Sequence, residues 1–232
     1  MELRPIARVH SDFGSKFGVP RQSGLVPELT AVLEFEPEFR SPEAVRGLED
    51  FSHLWLIWQF SENADAGWSP TVRPPRLGGN RRVGVFASRS PFRPNPLGLS
   101  CVRLLELRMD PERGPLLLLG GADLVDGTPV YDIKPYVPYA DAHPEASGGF
   151  TDETEWKRPL EVDCPPELLA RFPEEKRAAL LGVLALDPRP AYQRDPERVY
   201  GFVFGGFDLR FRVEDGRLRV LEVKTINEKS NE

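Results

Sequence analysis

Residues 71–100 read TVRPPRLGGNRRVGVFASRSPFRPNPLGLS, and this stretch constrains the fold more than any other. Pro74, Pro75, Pro91, Pro94 and Pro96, with Gly78, Gly79, Gly84 and Gly98, leave only residues 82–87 and the run after Gly98 able to pair as strands. The remainder is loop stiffened by proline, which loses little entropy when it closes on a ligand.

The same window is electrically distinct. No Asp or Glu lies between Asp65 and Glu106, whereas Arg73, Arg76, Arg81, Arg82, Arg89, Arg93 and Arg103 all fall there, among Trp68, Phe86 and Phe92. The whole chain carries a formal charge of -6. A local basic field on an acidic molecule points to a polyanion docking at one place. Arginine grips phosphate and aromatic rings stack on bases, so an RNA partner suits the mixture. Arg73, Arg76, Arg81, Arg82, Arg93 and, further on, Lys134 are the candidate phosphate contacts, with Phe92 or Tyr136 available for stacking. The plain alternative is a proline-rich surface loop with solvated arginines.

Working outward, residues 3–9 alternate as an opening strand, and residues 11–24 form a loop broken by Gly14, Gly18, Pro20 and Gly24. Arg21 and Gln22 in that loop could reach a carboxylate or a base edge. Residues 29–35 read as a strand. Ser41 and Pro42 then have the form of an N-cap and first helical residue, in a short helix stopping at Gly47. Residues 52–60 are apolar on both parities, as a strand buried on both faces or lining a closed barrel would be, with Trp55 and Trp58 as core. Two more strands are expected at residues 99–107 and 116–119. Short strands at this spacing, with one short helix among them, predict a mainly β chain built on a small closed or nearly closed barrel.

Residues 123–139 are a second chemical segment, with Asp123, Asp126, Asp132, Lys134, Tyr136 and Tyr139 spaced by prolines. Asp126, in a DGTP turn, has the simpler role of a turn cap open to it. The expected division is a barrel domain over residues 1–145, a linker over 146–160, and a smaller α+β domain over 161–232. In the last, two short helices broken at Pro173 precede three strands, with a hairpin at Glu214, Asp215 and Gly216.

With 232 residues and 40% hydrophobic content the chain can bury an ordinary core. No stretch approaches the ~18 apolar residues of a membrane span, so residence in the cytoplasm is expected. Cys101 and Cys164 make no disulfide framework, and His10, His53 and His143 form no ligand pair, so no metal site is expected. Dinucleotide and P-loop glycine motifs are missing.

The blocks VRPPRLGGN, VGVFASRSPFRPNPLGLS and DLVDGTPVYDIKPYVPY, preceded by DFGSKFGVPRQSGLV and AVRGLEDFSHLWLIWQF and followed by DPRPAY, resemble in order the signature blocks of the TsaA-domain family. Characterised members of that family are TrmO-type tRNA methyltransferases. The resemblance covers nearly the whole chain and implies a non-Rossmann barrel that uses S-adenosylmethionine to methylate the exocyclic N6 of threonylcarbamoyl-adenosine 37 in tRNA. Because the barrel is small beside a tRNA, a homodimer or the C-terminal unit is expected to extend the surface, as the resemblance also implies. The family's cofactor-binding positions fall on Arg21, Gln22, Ser23, Ser61, Glu62, Arg89, Leu99, Gly120, Gly121, Ala122 and Asp123. Ser61 is a departure, because relatives resemble FVFHQ where this chain has WQFSE. For the acceptor nitrogen, Asp126, Asp132, Asn95 and Tyr136 are candidates by chemistry, as groups able to take a proton or orient a base.

Two other functions fit parts of the chain. A non-catalytic RNA- or nucleotide-binding module would need the arginines, but not PRQ, FASRSPFRPN and DLVDGTP together. A metal-dependent hydrolase would need a His or carboxylate cluster at ligand spacing, which the chain lacks.

Overall fold

The computed structural model describes residues 2–63, 67–74, 77, 81–152, 159–189, 193 and 195–226. Its larger sheet is a closed six-stranded barrel. The strands are β1 (Ala7–His10), β2 (Thr30–Phe35), β3 (His53–Gln59), β6 (Leu97–Asp110), β7 (Gly114–Gly120) and β8 (Thr128–Pro135), in the order β1-β2-β7-β6-β3-β8. Every neighbouring pair is antiparallel, from β1 on β2 round to β8 on β1. Closure removes the free edges that so short a set of strands would otherwise expose. Between β3 and β6 the window forms a two-stranded ribbon of β4 (Thr71–Val72) and β5 (Val83–Gly84).

Alternate residues fill the interior. Val9, Leu33, Leu54, Leu56, Val102, Leu117, Leu119 and Val130 are all almost fully buried, as the two-residue period of a strand requires. On β3 only one parity faces inward: Leu54, Leu56 and Trp58 are buried, while Trp55 and Ile57 are half-covered on the outside. The expectation of a strand lining a closed barrel therefore holds for β3, with burial on one face.

The C-terminal unit is a four-stranded sheet, β10 (Tyr200–Phe204), β11 (Phe207–Glu214), β12 (Arg217–Thr225) and the short β9 (Glu161–Asp163), in the order β10-β11-β12-β9. Only β12 and β9 run parallel. Helices α2 (Pro166–Leu169) and α3 (Glu174–Ala185) divide at Pro173, as expected. Asp215 and Gly216 at the β11–β12 turn both have positive φ, the conformation a tight hairpin demands. A short helix, α1 (Pro138–Asp141), follows the barrel. No helix among the described residues is long and apolar enough to cross a membrane.

Three expectations change. The strand anticipated at residues 82–87 is two residues long, because Val85 is buried and the chain then turns as a 3₁₀ segment closed by the Ser88 hydroxyl on the Val85 carbonyl. The short helix after Ser41 is also 3₁₀, and Ser41 makes no side-chain cap. Residues 128–135, placed in the second chemical segment and not among the expected strands, are strand β8. Pro129 and Pro135 near its two ends masked a run that pairs on both sides. Of the expected linker, residues 153–158 lie outside the described residues.

Candidate functional site

A cavity of about 450 Å³ opens at the end of the barrel where β3, β6 and the segment after β7 meet residues 16–22 of the N-terminal loop. That volume lies within the range of small-molecule sites. Trp58, Phe60 and Leu124 give it apolar walls, Lys16, Arg21, Arg89 and Arg93 bring positive charge, and Glu62 and Asp123 are the carboxylates among its described lining.

Trp58 reaches this position because Gly98 faces it across the β3–β6 ladder. A Cβ at Gly98 would lie 2.3 Å from the indole, so only glycine lets the ring lie flat there. The Trp58 indole N–H donates to Ser100 Oγ at 3.0 Å, and the Ser100 hydroxyl donates to Asp123 Oδ1 at 2.7 Å. Indole nitrogen can only donate, so the direction of this chain is set: the Ser100 proton must point at the carboxylate. Ser100 is 1% exposed, which leaves no water to compete.

Burial pushes the Asp123 carboxyl above the usual carboxylate range. The Ser100 hydroxyl, its own and the Ser23 backbone N–H, and the Arg89 guanidinium pull in the opposite direction. The result is a carboxylate held by donors yet short of solvation, facing a cavity that could accept a cation.

Arg89 also donates to the side-chain carbonyl of Gln22, tying the arginine window to the N-terminal loop. The loop is anchored a second time at Gly121, whose φ of 69° only glycine adopts readily. Gly24 N–H donates to the Gly121 carbonyl at 2.8 Å, and a Cβ on Gly121 would lie 3.1 Å from Gly24 Cα. Arg93 donates to the Ser88 carbonyl at 2.6 Å and the Val85 carbonyl at 3.2 Å, and lies over Phe86 with 5.7 Å to the ring centroid. It braces the turn that presents Arg89.

Of the positions implied by resemblance, Arg21, Gln22, Ser61, Glu62, Arg89, Leu99 and Asp123 line the cavity. Ser23 acts through its backbone on Asp123. Gly120, Gly121 and Ala122 lie behind the wall, all buried. The acceptor-side candidates are dispersed. Asp126 accepts the Ser11 N–H at 3.0 Å, a bond that ties its turn to the N-terminal loop. Asp132 on β8 accepts its neighbour Ile133 N–H and pairs with Lys134 at 3.0 Å. Tyr136 packs on Trp55 with centroids 5.8 Å apart, beyond the end of β8 remote from Trp58. Asn95 is exposed, its carbonyl closing a turn with Leu97. None of these four lines the cavity. Arg73, Arg81 and Arg82 are exposed on the window, and Arg76 lies outside the described residues.

Sequence reasoning missed Trp58 and Ser100 as site residues. Trp58 had been assigned to the core, which is also true: it is 8% exposed and forms the floor of the cavity. Lys16, whose backbone N–H donates to Glu62 at 3.3 Å, carried no signal beyond its place in a glycine-rich loop.

Comparisons with known proteins identify the family. The chain matches the tRNA-methyltransferase O N-terminal domain over residues 8–142 and the TrmO C-terminal domain over residues 157–226. It is 42% identical over 231 residues to the tRNA (adenine(37)-N6)-methyltransferase of Escherichia coli strain K12, covering 96% of this chain and 97% of that protein. A Pseudomonas aeruginosa relative, 42% identical over 229 residues, with 95% of this chain and 96% of that protein covered, has the words S-adenosylmethionine-dependent methyltransferase in its name. A crystal structure of TrmO superposes with a TM-score of 0.78 at 36% identity, covering 96% of this chain and 98% of the other. The chain belongs to the tRNA-methyltransferase O family.

Proposed function

We propose that the protein transfers a methyl group from S-adenosylmethionine to N6 of adenosine 37 in tRNA, using the cavity at the barrel mouth. One observation favours this over a non-catalytic RNA-binding module: a buried, donor-held Asp123 carboxylate stands in the same cavity as Arg89 and Gln22. An RNA-binding surface has no need of a desolvated carboxylate.

The residues fit the methyl donor. Asp123 and Glu62 suit its cationic parts, Arg21 and Arg89 its carboxylate, and Trp58 and Phe60 its flat, apolar adenine. When bound, S-adenosylmethionine supplies an electrophilic methyl on a sulfonium centre. The chain's own contribution is to hold the acceptor nitrogen in line, exclude water and receive its proton. Glu62 and Asp123 are the carboxylates of the described lining, which makes them better candidates for that proton than Asp126 or Asp132. Arg73, Arg81 and Arg82 on the window face phosphates of the anticodon arm, whose unstacked loop bases are the form in which RNA sequence is read.

Two finer statements accompany this function. The working form is a homodimer, supported by Leu99 at the cavity and Leu105 further along β6, large apolar side chains that remain exposed. Its place of action is the cytoplasm, where tRNA is modified. Calorimetric titration with S-adenosylmethionine tests the donor site. Saturable binding lost in Asp123→Ala supports the cavity assignment, and equal binding by the variant rejects it.

A further inference from the structure

We infer that the C-terminal unit is a clamp that positions the N-terminal loop lining the cavity, and that Lys176 and Phe202 are positioning residues for methyl-donor binding. This rests on the assignment of the cavity to S-adenosylmethionine.

The loop enters and leaves the cavity under C-terminal control. Before the lining residues, the Asp12 side chain pairs with Lys176 of α3, and the Asp12 carbonyl accepts the Gly205 N–H at 2.9 Å. Phe13 is 1% exposed and packs edge-on against Phe204 at 5.4 Å, inside the C-terminal core. Phe17 lies 6.1 Å from the Phe202 ring. Gly18, at φ 91°, is pressed so closely to Phe202 that a Cβ would meet the ring at 2.6 Å. After the lining residues, Val26 is buried in the C-terminal core against Gly182 of α3, where a Cβ would lie 2.7 Å from its methyl. Val19 itself packs against the C-terminal core, and Lys16, Pro20, Arg21 and Gln22 are thus held between fastenings on a unit that contributes none of the described lining of the cavity.

The charges of the C-terminal strands argue against the other obvious role, an extended RNA surface. Arg210 pairs with Asp208, Arg212 with Glu197, Arg217 with Glu161, Arg219 with Asp163 and Lys224 with Glu222. Arginines neutralised by neighbours offer little to a phosphate backbone, whose affinity comes from releasing counterions to unpaired cations. Lys176 is turned inward to Asp12 and is spent on the loop. A clamp acts by raising the fraction of molecules whose loop is ready for ligand, since apparent affinity scales with that fraction.

The test compares intact wild type with Lys176→Met, Lys176→Arg and Phe202→Leu. Three quantities are measured: S-adenosylmethionine affinity by calorimetry, tRNA affinity by fluorescence anisotropy, and amide hydrogen exchange over residues 11–24. Lys176→Met should weaken S-adenosylmethionine about tenfold, the effect of a tenfold fall in the competent fraction. It should speed exchange in the loop while barrel amides keep their protection, and Lys176→Arg should restore both. Phe202→Leu should act in the same direction, and tRNA affinity should stay within about twofold. Unchanged donor affinity with weakened tRNA binding would overturn the clamp in favour of an RNA surface. Unchanged loop exchange in Lys176→Met would overturn it even if Phe202→Leu proved too unstable to study. Failure of wild type itself to bind S-adenosylmethionine, with loop exchange still altered, would count against the cavity assignment instead.

Discussion

The indole of Trp58 lies across Gly98 with no room for a side chain between them, a Cβ there meeting the ring at 2.3 Å. The contact matters because the same indole sets the direction of the hydrogen bonds that end at Asp123. Gly98→Ala should displace the ring, cost about 1–3 kcal/mol of stability as overpacking does, and weaken S-adenosylmethionine binding. Gly84→Ala, at a position with nothing within 4 Å, is the matched control and should leave both unchanged. Thermal melts and calorimetric titration of the two variants check the difference.

Asp123 makes a prediction about pH. Burial raises its folded carboxyl above the unfolded value of about 3.9, so folding favours the protonated form. Its contribution to stability is fully present below the unfolded value and is lost as pH rises through the folded one. Asp123→Asn keeps an acceptor for Ser100 without the buried charge. The variant should therefore gain stability relative to wild type at pH 7, and the gain should shrink as pH falls towards 4. Denaturation midpoints across that interval measure it. The same variant should fail to bind S-adenosylmethionine at pH 7.

On the arginine window, Arg73→Ala and Arg82→Ala should weaken tRNA binding at low salt without altering donor affinity. If each side chain meets one phosphate, each substitution should reduce the slope of log affinity against log salt by about 0.7–0.9. Anisotropy titrations at several salt concentrations give the slope. An unaltered slope would mean that these side chains do not meet the backbone.

The barrel was legible in the chain because strands β1, β2, β3, β6 and β7 carry apolar runs of the right length between glycine and proline breaks. Strand β8 was not, because Pro129 and Pro135 near its two ends and the aspartate and lysine along it resemble a loop. The hairpin at Asp215 and Gly216 was legible as a local turn. The three-residue β9 was not, since its pairing with β12 joins residues far apart in sequence.

The site divides in the same way. Arg21, Gln22 and Arg89 stood out by residue type and by resemblance, and the cavity gathers all three. The special character of Asp123 depends on Ser100 and Trp58 from two other strands, a juxtaposition that only folding creates. Asp126 and Asp132 have equally suggestive neighbours in sequence, yet one accepts the distant Ser11 N–H and the other pairs with Lys134. The fastening of residues 11–26 to the C-terminal core was invisible for the same reason: nothing local marks Phe13 as a partner of Phe204.

The most direct measurement of the central claim is nucleoside mass spectrometry of tRNA incubated with the protein and S-adenosylmethionine, for wild type and for Arg89→Ala. A methyl group on N6 of adenosine 37 that appears with wild type and is lost with the variant is the predicted result. Binding of both ligands by wild type without methyl transfer, or transfer that persists in Arg89→Ala, would contradict the account.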